Sequence, residues 1–296
     1  MGVRLTRDRE GPAAPTPTPR RPETVAPGRV KEVTSVSNPI VKDIRNLALK
    51  KHREETGLFL AEGLKLAIDA LDAGWTLETL IVARSQLDNE LLAKTAARTI
   101  SVGADVLEAS DKVLAAIARR DNPQSAIGVF RQKTVRADKI ELGRDGLLVV
   151  LDRVRDPGNL GTILRTADAA GAKGVVLVGE SVDPFSLEAV RATMGSIFSV
   201  PVARMDEAAF LQFRRGFNGF VVGTHMRGET DYRTPAYGKK PTLLLMGNEQ
   251  AGLSEPLAAA CETLVRIPQV GRADSLNLAV ATGLMIFEAR RGSLSL

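Results

Sequence analysis

Cysteine occurs once in these 296 residues, at Cys261, and histidine twice, at His52 and His225. A lone thiol excludes an internal disulfide and a multi-cysteine metal cluster, and two histidines leave too few ligands for a zinc site, so no metal is expected. No apolar run approaches the length of a membrane span, and the N-terminus lacks the hydrophobic core of a secretion signal. A cytoplasmic protein without membrane association is expected. The alternative, an organellar transit peptide, is opposed by Asp8, Glu10 and Glu23.

Hydrophobic residues at 44% and charged residues at 25% suit a globular chain, and the length suits two domains and a tail. The net charge of +5 is concentrated at one end: the first 55 residues hold 12 basic and 7 acidic groups, against 28 of each in the remainder. Arg29 to Arg53 carries seven basic side chains, including Lys42 and Arg45, and two acidic ones. That density suits RNA phosphates; a solvated helix face is the alternative reading.

Residues 1 to 28 contain six of the 15 prolines and few large apolar side chains, which predicts a disordered tail. Residues 29–131 read as a small α/β domain. Helices are predicted over 39–50, 62–73, 86–97 and 111–118, with strands at 58–61, 77–82, 99–102 and 126–130. The polar stretch 132–146 reads as a linker. In residues 147–296, near-continuous apolar runs at 147–152, 174–178, 199–202, 219–222, 242–246 and 264–267 predict a second α/β domain with a parallel sheet.

Three segments carry chemistry. From Asp152 to Ala167 a strand end runs through Pro157 and Gly158 into a helix. Glycines at 158 and 161 permit close approach of an anion, Asn159 is a candidate cap, and Arg165 lies about one and a half turns inside. A dinucleotide-binding turn would look similar, although the spacing is not G-x-G-x-x-G. From Leu243 to Ser254 a buried-looking strand ends abruptly in Gly247, Asn248 and Glu249; ligand binding at a strand end competes with a tight turn in which Ser254 caps the next helix. From Val265 to Ala281, Ser275 and Asn277 precede an almost uncharged helix, suggesting polar groups held against the interior.

In this order and spacing the three segments resemble the signature motifs of the SpoU (TrmH-like) branch of the SPOUT methyltransferases. The resemblance covers residues 147 to 291, including Val182-Asp-Pro-Phe-Ser and Val190-Arg191-Ala-Thr-Met-Gly195. Ser37-Asn-Pro-Ile-Val-Lys and Gly57-Leu-Phe-Leu-Ala-Glu-Gly63 resemble, more weakly, the accessory substrate-binding domain of ribosomal-RNA members.

The resemblance implies a C-terminal SPOUT-type α/β domain with a trefoil knot, although general fold rules favour an unknotted sheet. It also implies a homodimer whose active site is shared between subunits. The implied activity is 2'-O-methylation of RNA ribose with S-adenosyl-L-methionine, on ribosomal RNA in preference to transfer RNA. Arg165, Asn159, Glu249, Ser275 and Asn277 become the catalytic candidates, and Thr224, Met246, Gly247, Ile267 and Leu276 the donor-binding ones. Arg165 is either the base or an electrostatic stabiliser of the developing alkoxide.

Arg153 and Arg191 are candidate RNA-phosphate contacts, with a surface ion pair as the alternative for each. His225 lies near the donor segment, where a general-base role competes with an incidental one. Two rival functions remain. A nicotinamide-dependent oxidoreductase leaves Glu249 and Ser275 to Asn277 unexplained, and a catalytically silent RNA-binding protein has no use for the full motif set.

Overall fold

The computed structural model describes residues 26–272 and 274–295. The tail expected at the N-terminus lies outside the described residues except for its last three. No helix among the described residues is long and apolar enough to cross a membrane.

The N-terminal part is a five-stranded mixed sheet. Its strands are β1 (Val30–Val33), β2 (Leu58–Glu62), β3 (Leu77–Ala83), β4 (Asp105–Ala109) and β5 (Ala126–Arg131), in the order β1-β4-β3-β5-β2. Strand β5 pairs antiparallel with β2 and β3, while β4 runs parallel to β1 and β3. Helices α1 (Pro39–Asn46), α2 (Lys50–Thr56), α3 (Leu64–Asp72), α4 (Glu90–Ser101) and α5 (Asp111–Ala118) cover it. The single helix expected over 39–50 is two, separated at Leu47 to Leu49.

The strand expected over 99–102 is instead the last turns of α4, and the strand follows at β4. The β-branched run Thr99-Ile100 mimics a strand, but Leu92, Thr95 and Thr99 are buried at helical spacing and the Thr99 hydroxyl donates to the Thr95 carbonyl at 2.8 Å. Tertiary burial of one helix face overrides local preference.

The C-terminal part is a seven-stranded parallel sheet: β6 (Leu147–Asp152), β7 (Gly174–Val178), β8 (Val202–Met205), β9 (Phe220–Thr224), β10 (Thr230–Asp231), β11 (Thr242–Met246) and β12 (Thr263–Arg266), ordered β10-β12-β9-β11-β6-β7-β8. The expected strand at 199–202 is displaced to β8, because Ser196–Phe198 winds into a 3-10 turn and Pro201, which has no N–H, precedes the ladder. Helices α6 (Pro157–Ala169), α7 (Leu187–Thr193), α8 (Glu207–Gly216), α9 (Glu255–Ala259) and α10 (Leu278–Arg290) complete the unit. Gly161 lets α6 lie against α7: a Cβ there would meet the Cβ of Ala192 at 2.4 Å. The close approach expected of this glycine is therefore to a helix rather than to an anion.

Residues 132–146 are polar yet anchored. Val135 donates its N–H to the Val202 carbonyl at 2.9 Å, Ala137 is buried, and Ile140 and Leu142 pack on the sheet. The two sheets also share a core, in which Phe59 and Phe130 meet Phe185 and Phe198 with ring centroids about 5–6 Å apart. Two ionic contacts flank it. Arg53, buried, donates through Nε to Asp183 at 2.8 Å, and Arg191 donates through Nε and Nη2 to the buried Glu62 at 3.0 and 2.9 Å.

Candidate active site

Strands β9, β11 and β12 are adjacent and parallel, so their C-terminal ends open onto one crevice, the general ligand position of such sheets. A cavity of about 280 Å³ lies there, formed by the ends of these strands, the loops that follow them and the start of α10. Thr224, Met246, Gly247, Ile267 and Leu276, the five donor-binding candidates, all line it, as do Glu249 and Ser275. Val265, Leu278 and Ala281 extend an apolar floor, while Glu249 and Asp274 place carboxylates at its side. An apolar body with a cationic centre matches that donor set.

The loop after β11 is held from below by Asp152, the buried last residue of β6. Its Oδ2 accepts the Ser254 N–H at 2.7 Å, and both oxygens accept from Arg153, at 2.8 and 2.9 Å. Arg153 adopts a left-handed backbone with φ of 52°, which turns its carbonyl towards Asn248 Nδ2, 2.7 Å away. Asn248 Oδ1 in turn accepts the N–H groups of Gln250 and Ala251, closing a turn that ends at Gly252. The Asp152 carboxylate raises the Arg153 pKa above its ordinary value. Arg153 thus takes the ion-pair alternative. So does Arg191, whose guanidinium is occupied by Glu62 and the Ala118 carbonyl.

The three motifs meet in a chain of amides. Asn277 caps α10 by accepting the N–H groups of Ala279 and Val280 at its Oδ1, so its Nδ2 faces outward and donates to Asn159 Oδ1 at 2.9 Å. Asn159 Nδ2 then donates to Glu249 Oε1 at 3.1 Å. Each amide has its orientation imposed by its neighbour, and the chain ends on the Glu249 carboxyl group as the final acceptor.

Several expectations need correction. Asp156, not Asn159, caps α6, accepting the Asn159 N–H at 2.6 Å. Ser254 precedes α9 without a side-chain cap; its hydroxyl donates to Glu207 at 2.9 Å. Ser275 and Asn277 are exposed rather than held in the interior, and the helix they precede carries no charge before Glu288 because much of it is buried. Arg165, the remaining catalytic candidate, is not among the residues that line the cavity. It lies on the exposed side of α6, about 9 Å along the axis from Asn159 and some 120° around it, with no ion pair among the described residues. Lys42 is exposed and Arg45 half-buried on α1, remote in sequence from the cavity.

The supporting contacts of Asp152 and Asn248, which the motif segments contain, and of Glu207, which they do not, are visible only in the structure. The only available signal for Asp152 is a single carboxylate closing an uninterrupted apolar run. Cys261 is half-buried behind β9, its thiol donating to the Leu257 carbonyl at 3.3 Å, and burial pushes its pKa up to about 12.

A parallel α/β sheet whose strand ends open on an apolar cavity, beside a Gly-Asn-Glu turn and an Asn-capped final helix, is the arrangement of a cofactor-binding α/β enzyme. The chain belongs to the SpoU rRNA Methylase family, whose pattern matches residues 146–287, and residues 38–128 match the MRM3-like substrate binding domain. It is 33% identical over 260 residues to the 23S rRNA (uridine(2479)-2'-O)-methyltransferase of Streptomyces viridochromogenes, covering 84% of this chain and 88% of that one. It is 31% identical to the 23S rRNA (guanosine(2553)-2'-O)-methyltransferase RlmP of Bacillus subtilis, covering 88% and 100%. The crystal structure of an AdoMet-bound rRNA methyltransferase from Sinorhizobium meliloti superposes with a TM-score of 0.85 at 57% identity, covering 90% of this chain and 99% of that one.

Proposed function

We propose that this protein transfers a methyl group from S-adenosyl-L-methionine to a ribose 2'-hydroxyl of ribosomal RNA, in the cytoplasm, as a homodimer. The observation that carries this reading is the Asn277–Asn159–Glu249 chain at the cavity lip, which joins all three motifs in one hydrogen-bonded unit. Ribosomal RNA is favoured because relatives matching nearly end to end, through both sheets, bear 23S rRNA names.

When bound, the donor supplies an electrophilic methyl on a sulfonium. Met246, Ile267, Leu276 and the backbone from Gly247 would hold it, with Glu249 and Asp274 matching its positive charge. Arg165 stabilises the negative charge developing on the ribose oxygen as the methyl leaves the sulfonium, which becomes a thioether, and the hydroxyl proton passes to solvent. Lys42 and Arg45 on α1 are the RNA-phosphate candidates that the basic segment retains; Arg153 and Arg191 act as struts within the chain.

The dimer supplies what one chain leaves apart. Val280, Leu284 and Phe287 form a stripe on α10 that is 54, 41 and 48% exposed, on a helix with hardly a charged residue before Glu288. Such a stripe calls for a covering surface. Helix α6 packs on α10, where a Cβ at Gly283 would lie 3.7 Å from Thr166 Cγ2, so Arg165, the residue before it, stands near the stripe, suitably placed to enter the cavity of a second copy. The knot is part of the same proposal: the segment from His225 to Tyr232 donates N–H groups to Val265 and Arg266, so the loop between β9 and β11 embraces β12, and the chain beyond β12 would thread it.

Purified protein and Arg165→Ala are incubated with isotopically labelled S-adenosylmethionine and unmodified RNA, followed by digestion and mass spectrometry of nucleosides. Arginine-dependent 2'-O-methylated nucleoside from ribosomal RNA is expected. Label on a base, or on transfer RNA alone, would overturn the ribose or the ribosomal assignment respectively.

A further inference from the structure

His225 lines the cavity immediately after β9 and is not one of the motif residues. Its backbone is pinned at both ends: its N–H donates to the Val265 carbonyl at 3.0 Å and its carbonyl accepts from Gly228 at 2.9 Å. Gly228 is required for that return, since a Cβ there would lie 2.7 Å from the Val265 carbonyl carbon. The imidazole is therefore carried on a rigid turn, half-buried at the cavity wall.

One ring nitrogen is already committed. Nδ1 accepts the backbone N–H of Arg227 at 3.0 Å, so it holds a lone pair and the proton of the neutral ring resides on Nε2. We infer that His225 is a hydrogen-bond donor to the bound methyl donor, presenting Nε2–H to one of its oxygens, and is not the base of the reaction. A base needs a free lone pair directed at the substrate hydroxyl, and the only lone pair of this tautomer is occupied by the turn. The oxygen it meets belongs either to the amino-acid carboxylate or to the ribose hydroxyls of the donor. The inference rests on the proposed use of S-adenosylmethionine and concerns positioning, not proton transfer.

The test uses His225→Asn in the full-length protein. An asparagine Oδ1 reproduces the Nδ1 contact to the second following N–H, as in an Asx turn, but places nothing where Nε2 was. Binding of S-adenosylhomocysteine and of 5'-methylthioadenosine, which lacks the amino-acid portion, is measured by calorimetry alongside thermal melting. The expected result is an unchanged melting temperature with S-adenosylhomocysteine bound about tenfold more weakly. A loss confined to S-adenosylhomocysteine assigns the carboxylate, and an equal loss for both ligands assigns the ribose.

Undiminished affinity in His225→Asn overturns the inference, whereas failure of the wild-type protein to bind either ligand overturns the donor assignment itself. A second measurement does not depend on the variant's folding. With His52 as the other histidine in the sequence, nitrogen-15 spectra of the wild-type rings are readily assigned. They should show His225 with Nδ1 unprotonated and its Nε2 resonance moving on ligand addition. A ring protonated on Nδ1 overturns the inference.

Discussion

Asn277 donates its side-chain amide to Asn159 across 118 positions of sequence, at 2.9 Å, because the first turn of α10 has already claimed the Asn277 oxygen. The cap of one helix thereby determines which way a second amide points on another. That second amide donates to Glu249, so a carboxylate at the cavity lip is positioned from the far end of the domain.

Asn277→Asp keeps the acceptor that caps α10 but replaces the donor facing Asn159 with a second oxygen. Methyl transfer should fall at least tenfold while thermal stability stays close to wild type. Asn277→Ala should lose the cap as well, at a cost of about 1 kcal/mol in a denaturant melt.

Arg165 makes no ion pair in the described chain and is exposed, so Arg165→Ala should leave stability within about 0.5 kcal/mol of wild type. Turnover should fall by about 100-fold or more, the scale of losing one stabilising donor. If the site is shared, mixing Arg165→Ala with Glu249→Ala subunits should restore activity through heterodimers carrying one intact site. Single-turnover rates of the refolded mixture against each parent check this.

Leu284→Arg places a charge in the middle of the exposed α10 stripe without touching the cavity lining. The variant should run as a monomer in light scattering after gel filtration and lose transfer, while circular dichroism shows the fold retained.

Arg53 and Asp183 tie the two sheets together with side chains only 4 and 7% exposed. Asp183→Ala leaves the guanidinium buried without its counter-charge and should destabilise the protein by about 3–5 kcal/mol. A double Arg53→Met, Asp183→Ala variant should recover much of this. Urea melts of the three variants decide it.

The Cys261 thiol, raised from 9.0 to about 12, stays protonated in the folded chain where the unfolded chain ionises. The folded state therefore binds more protons between those values, and this group's contribution to stability is intact below pH 9 and is lost as pH rises towards 12. At pH 8 iodoacetamide should label Cys261 much more slowly in the native than in the urea-unfolded protein, as read by intact mass.

The architecture was legible where local signals and burial agree. The parallel strands β6, β7 and β11 stand within a residue of their apolar runs, because a strand buried on both faces is apolar throughout. The failures have the opposite cause: Thr99-Ile100 has strand-forming side chains but lies on a helix face that the neighbouring sheet buries, and Pro201 shifts β8 onward. The segment 132–146 reads as a linker from its polarity, and its hydrogen bond to Val202 is visible only in the structure.

By itself the sequence determined the class of protein: the three motifs and their order are read from residue types and spacing, and the donor-lining positions from the family those motifs resemble. Only the tertiary structure decided which groups act together. Arg153 and Arg191 are identical in kind to Arg165, yet two are held by Asp152 and Glu62 and one is left exposed on α6. A guanidinium takes its role from whichever carboxylate the fold brings within about 3 Å, and that distance depends on contacts between residues far apart in the chain.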